Sequence, residues 1–154
     1  MIIFFRGLIG SGKTSLSKNL KKELNKKNLK FFHLDGDDFR NIFNNNLGFD
    51  QQGRADTASG MVRLISLLDD QRVNLIVSSL FVETKQLKNY LKGKKYLSFF
   101  INVDIEKLKF KNKKNIYKID KNVPGLHYKY KPLNKKCLII NNDMVITKQN
   151  IIKN

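Results

Sequence analysis

The chain has 154 residues and a mass of 17.9 kDa, with 41% hydrophobic residues, 10% aromatic residues and a formal net charge of +17. A length of this order fits one domain around one core, and no apolar run approaches the roughly 20 residues that a membrane span needs. Cys137 is the single cysteine, which excludes an intrachain disulfide and a cysteine-based metal site; it reads as a small core hydrophobe.

The positive charge would attract phosphates of any kind and does not choose among them. Lysine is scattered with asparagine over surface-type positions such as Lys21, Lys22, Asn25, Lys26 and Lys27, with no interleaved aromatics. That pattern reads as solvated surface, so neither nucleic acid nor membrane is expected as a partner.

Residues 1–6 form a short apolar strand that runs directly into a glycine loop, which argues against a signal peptide and for a cytoplasmic protein. Leu16, Leu20 and Leu24 then share one face of a helix over 13–27. A second strand over 31–34 ends at Asp35, a short helix covers 37–43, and 44–53 reads as a polar loop. Ala58, Met61, Val62, Ile65 and Leu68 recur at three and four, which predicts an amphipathic helix over 54–71. A third strand over 74–77, a helix over 83–91, a fourth strand over 96–103, a helix from Asp104 and a lysine-rich stretch over 109–121 follow. The last strand covers 136–140. This alternation predicts an α/β fold in a single domain over 1–154: a parallel five-stranded sheet with helices on both faces.

The strongest motif is Gly7-Leu8-Ile9-Gly10-Ser11-Gly12-Lys13-Thr14, which fits G-x-x-x-x-G-K-[ST] between a predicted strand and a predicted helix. Glycines let successive backbone N–H groups turn toward a phosphate, and the positive end of the following helix adds to that field. Gly7, Gly10, Ser11, Gly12, Lys13, Thr14 and Ser15 are therefore candidate ATP-binding residues. Lys13 would reach the β- and γ-phosphates, and the Thr14 hydroxyl would bind Mg2+.

The third strand ends in Ser78-Ser79 with no carboxylate, so an acid for the metal must come from elsewhere. Asp35-Gly36-Asp37-Asp38 closes the second strand, at the sheet end where ligands bind in parallel folds. One carboxylate there could orient Mg2+ through water while another takes the proton of an acceptor hydroxyl. The alternative is a plain helix cap.

These residues resemble the adenylylsulfate kinase family. Beyond the phosphate loop, Leu34-Asp35-Gly36-Asp37-Asp38-Phe39-Arg40 and Leu47-Gly48-Phe49 are similar to its LDGDNVR and LGF elements, in the same order. Residues 114–118 are similar to its KGLYK lid element, within a lid region over about 107–130, and residues 124–132 to its TGIDSPYEAP segment. The resemblance implies a three-layer P-loop kinase fold, with ATP and Mg2+ as cofactors and a small nucleotide as acceptor. It implies Asp37 as the base facing the ribose 3′-hydroxyl, Asp35 as the ligand of a Mg2+-bound water, Arg40 on the acceptor's phosphate and Phe49 on its base. An ordinary core aromatic is the other reading of Phe49. Arg54 and Ser79 match acceptor-side positions of the family, and Lys111 aligns with its lid arginine on the ATP side. In-line transfer requires no covalent step on Ser79.

The acceptor side departs from the pattern. Where the family carries DRxxNIRR, this chain has residues 53–60, with Thr57 for Asn and Ser59 and Gly60 for the two arginines. Planar forks suited to phosphate or sulfate oxygens are thereby lost. The reading that results is a nucleotide 3′-hydroxyl kinase whose acceptor need not be adenylylsulfate; cytidine diphosphoramidate, made for bacterial capsule decoration, would fit. A kinase of polynucleotide ends and an ATP-dependent switch protein are the alternatives, and a homodimer is compatible with each.

Overall fold

The computed structural model describes residues 1–80, 84–110 and 137–142. In chain order the elements are β1 (Ile2–Gly7), α1 (Lys13–Lys26), β2 (Phe32–Asp35), α2 (Gly36–Ile42), α3 (Gln51–Asp70), β3 (Leu75–Ser79), α4 (Lys85–Leu91), β4 (Tyr96–Asn102), α5 (Ile105–Phe110) and β5 (Leu138–Asn141). The strands form one five-stranded sheet in the order β2-β3-β1-β4-β5, and every pair is parallel.

β1 is buried along its whole length because it sits at the centre of the sheet with helices above and below. A strand covered on both faces reads as a continuous apolar run, which Ile2-Ile3-Phe4-Phe5 provides. Its alternation sends side chains into two separate cores. Ile2 and Phe4 pack with Phe39 of α2, Met61, Val62 and Ile65 of α3 and Leu87 of α4. Ile3 and Phe5 pack with Leu16 of α1, Ile101 of β4 and Leu108 of α5. The three-layer α/β arrangement predicted from the sequence is thus the one observed. No helix among the described residues is long and apolar enough to cross a membrane.

Several local expectations change. The predicted loop ends early, because the Asp50 side chain accepts from the Gly53 amide at 2.8 Å and starts α3 at Gln51. Cys137 is half-buried beside β5 and lies 3.3 Å from Ser98 Oγ, so it is not a core residue. Leu138 and Ile139 remain more than half exposed on the edge strand that follows it. Lys111, residues 81–83, the lid stretch beyond residue 110 and the 124–132 segment lie outside the described residues.

Candidate active site

The parallel sheet brings the C-terminal ends of β1, β2 and β3 to one edge, and each delivers a part of the site. β1 leads into the loop 8–12, and Gly7 cannot carry a side chain: a Cβ there would sit 2.7 Å from both the Ile101 carbonyl oxygen and Ser11 Oγ. Gly10 and Gly12 hold φ of 79° and 92°, a conformation open to glycine at little cost. Ser11 is fully buried and its amide closes the turn on Leu8 O at 3.1 Å. Gly12 stands at the head of α1, and no side chain caps that helix. The start of the 14-residue helix α1, where Gly12 supplies no capping side chain, suits an anion. Lys13 Nζ donates to Leu8 O at 2.7 Å, arching over the loop it would serve, and Ser15 is exposed.

β2 ends on Asp35, which is 6% exposed. Thr14 Oγ1 donates to Asp35 Oδ2 at 2.8 Å, Ser78 Oγ donates to the same oxygen at 2.5 Å, and the Asp37 amide donates to Oδ1 at 2.9 Å. Asp35 is thus the N-cap of α2, as the cap reading has it, and also the partner of the loop threonine. Burial works against its charge. Its hydrogen bonds from Ser78, the Asp37 amide and Thr14 outweigh that, holding the carboxyl below the ordinary carboxylate range. Asp37 lies in the first turn of α2 and is exposed at the same sheet edge.

The metal expectation can be tested against these atoms. With its hydrogen turned to Asp35, the Thr14 oxygen keeps its lone pairs for a cation, and an ionised carboxylate stands beside it. No cluster of three or more His, Cys, Asp or Glu able to cage a metal exists among the described residues. Mg2+ keeps several waters and needs only one or two protein oxygens plus substrate phosphates, which Thr14 Oγ1 and the Asp35 carboxylate could supply.

Of the residues expected on the acceptor side, Arg40 and Arg54 are 7% and 6% exposed. Burial and the neighbouring Arg54 charge weaken the basicity of the Arg40 guanidinium, while Asp37 supports it. Arg40 Nη1 donates to Gly48 O, and its guanidinium lies 4.7 Å from the centroid of the Phe49 ring. Phe49 is 51% exposed, so it is not the core aromatic that the sequence also allowed. Arg40 instead ties the 47–49 turn to α2. Thr57 turns its hydroxyl to Gly53 O at 2.7 Å, inside α3, while Arg63 is exposed. A Cβ on Gly60 would come 2.9 Å from Phe39 Cζ; the ring of Phe39 takes the room next to Gly60. Ser79 stands close to Gly36, where a Cβ would meet its Oγ at 2.7 Å.

Four residues of this region escaped the sequence reading. Ser78 donates to Asp35 and pairs with His33, Ser17 joins His33 at 2.9 Å, and Asn142 Nδ2 donates to Ser11 O at 2.9 Å across the loop. Only the strand period, which puts His33 on the face of Asp35, signals any of them in the sequence.

The adenylylsulphate kinase family profile matches residues 1–140. The chain belongs to the adenylylsulphate kinase family. It is similar to the cytidine diphosphoramidate kinase of Campylobacter jejuni, at 35% identity over 92% of this chain and 85% of that protein. Similarity to the adenylyl-sulfate kinase of Clostridium acetobutylicum is 30% over 79% of this chain. The chain spans 62% of the length of that kinase and 61% of the one from Staphylococcus carnosus. Among solved structures, the Mycobacterium tuberculosis APS kinase CysC in complex with AMPPNP and APS superposes with a TM-score of 0.73 at 22% identity, covering 92% of this chain and 88% of that one. That likeness establishes the fold. Membership makes the chain a kinase-family phosphotransferase.

Proposed function

We propose that the chain transfers the γ-phosphoryl group of ATP to the ribose 3′-hydroxyl of a nucleotide bearing a modified phosphate, of the cytidine diphosphoramidate or adenylylsulfate kind. The observation that carries this reading is the meeting of Thr14 with Asp35, which brings the phosphate loop against an acidic strand end, with Asp37 beside it. In this reading the loop amides and Lys13 would hold the triphosphate, and Thr14 and Asp35 would hold Mg2+. Mg2+ held by these residues would supply charge neutralisation during transfer. Asp37 accepts the hydrogen of the acceptor hydroxyl and takes its proton as the bond to phosphorus forms. Arg40, Phe49, Arg54 and Ser79 line the acceptor side, and Lys111 serves the ATP side.

Two facts favour the cytidine diphosphoramidate kind. The relative of that name aligns over nearly the whole chain, and the arginines expected of a sulfated-nucleotide grip are replaced by Ser59 and Gly60. The test is a steady-state assay with ATP, Mg2+ and a panel containing cytidine diphosphoramidate, adenylylsulfate, unmodified nucleotides and an oligonucleotide. Turnover of one modified nucleotide, lost in Lys13→Ala, supports the proposal. Turnover of the oligonucleotide alone rejects it.

A further inference from the structure

His33 Nε2 lies 2.9 Å from Ser78 Oγ and 2.9 Å from Ser17 Oγ. The direction of these bonds follows from counting hydrogens, because each hydroxyl has one to give. Ionised Asp35 only accepts, so the hydrogen of Ser78 points at Asp35 Oδ2 and none is left for His33. The hydrogen of Ser17 goes to the Thr14 carbonyl at 3.0 Å. His33 Nε2 must therefore carry a hydrogen itself and share it between the two serine oxygens. A neutral ring with its hydrogen on Nε2 is the Nε2–H tautomer.

We propose that His33 is a positioning residue for phosphoryl transfer: as the Nε2–H donor it turns the Ser78 hydroxyl onto Asp35 and, through Ser17, braces the first turns of α1 that carry Thr14. Strand geometry supplies the arrangement. His33 and Asp35 share a face of β2, Asp35 pairs in register with Ser78 of β3, and Ser17 lies one turn after Thr14 on α1. Ser17 and Ser78 are 0% and 1% exposed, so bulk water has no ready access to take the place of the ring. Without the imidazole donor, Ser78 is free to turn its hydrogen elsewhere, and Asp35 loses one of the bonds that hold it against Thr14. Asparagine and leucine could not do the same work: the first is too short to reach both serines, and the second has no donor. Supporting partners of this kind change metal affinity or activity by roughly 10- to 100-fold.

The role of His33 in transfer rests on the functional reading above, whereas its tautomer does not. Long-range 1H–15N spectra of the 15N-labelled full chain, without nucleotide or metal, report the tautomer at neutral pH. Spectra of His33→Gln and His33→Leu assign the ring against His127. The Nε2–H form is expected, and the Nδ1–H form overturns the proposal because Nε2 would then accept from a serine and have no hydrogen to give to Ser78. In kinetics, His33→Leu should raise the KM for Mg2+-ATP roughly tenfold with the acceptor KM unchanged. His33→Gln, whose amide N–H reaches about the place of Nε2, should restore most of it. An unaltered Mg2+-ATP KM in His33→Leu overturns the role. Should His33→Leu fail to fold, the spectrum and the His33→Gln kinetics decide. If the wild type turns over no nucleotide at all, the functional reading fails, and calorimetry of Mg2+-ATP binding to the same variants still judges His33.

Discussion

Thr14 and Asp35, 21 residues apart in the chain, meet through a 2.8 Å hydrogen bond that joins the start of α1 to the end of β2. The bond fixes the threonine hydrogen on the carboxylate and leaves its oxygen toward the loop. Asp35→Asn removes the charge and one acceptor site, and should lower kcat/KM by roughly 10- to 100-fold. A Mg2+ titration of the steady-state rate checks it, since the half-saturating Mg2+ concentration should rise as well.

Asp37 stands in a different position, exposed in the first turn of α2 with its backbone amide bonded to Asp35. If its carboxylate is the proton acceptor, Asp37→Asn should cut kcat by about 10²- to 10⁴-fold. Affinity for a non-hydrolysable ATP analogue, measured by calorimetry, should stay the same. Full activity in Asp37→Asn would remove this residue from the chemistry.

The side proposed to take the acceptor includes a turn packed against the start of α3. A Cβ on Gly53 would lie 1.9 Å from the Leu47 carbonyl oxygen and 2.7 Å from that of Gly48, both backbone atoms that cannot swing away. Gly53→Ala should therefore displace the 47–49 turn and destabilise the fold by about 1–3 kcal/mol, as overpacking does. Urea denaturation measures the stability. The KM for the acceptor should rise while that for ATP changes little.

Phe49 and Arg40 make a cation–π pair at that turn. Such a pair contributes about 0.5–1 kcal/mol at an exposed site. Phe49→Ala should raise the acceptor KM several-fold, and also loosen Arg40, with no change in ATP affinity. A KM for ATP that rises in parallel would show that the ring serves folding and not the acceptor.

Acid sensitivity has a local source at the far end of α3. Asp69 accepts from Lys94 Nζ at 2.6 Å and from Tyr90 Oη at 2.9 Å, and the Lys94 hydrogen bond is the main cause that holds its carboxyl below the usual value, against a small burial cost. The same contact raises the Tyr90 phenol, after burial. A carboxyl whose folded value is depressed stabilises the fold above its unfolded value, near pH 4, and loses that contribution as pH falls through the folded value. Urea midpoints compared at pH 7 and pH 3 should therefore differ less in Asp69→Asn than in the wild type.

Much of this architecture is legible in the residues, and the reasons are physical. β1 is apolar on both faces because helices cover both, and the three-and-four spacing of Ala58, Met61, Val62 and Ile65 marks the buried stripe of α3. The loop glycines announce themselves because no other residue fits where Gly7 touches Ile101 and Ser11. The hydrogen-bonded chain from Ser17 through His33 and Ser78 to Asp35 is not legible in that way. It depends on the register of β2 against β3 and on where α1 crosses them, and no local spacing encodes either. Cys137 misleads for a related reason: an apolar stretch implies burial only if its strand lies inside the sheet, and β5 is an edge.

The central claim is phosphoryl transfer to a ribose 3′-hydroxyl, and the direct measurement is 31P and proton NMR of the product formed from Mg2+-ATP and cytidine diphosphoramidate or adenylylsulfate. A new phosphomonoester signal coupled to the ribose H3′, with ADP appearing in equal amount, is the predicted result. Phosphate on another atom of the acceptor, or ATP consumed with the acceptor unchanged, would contradict it.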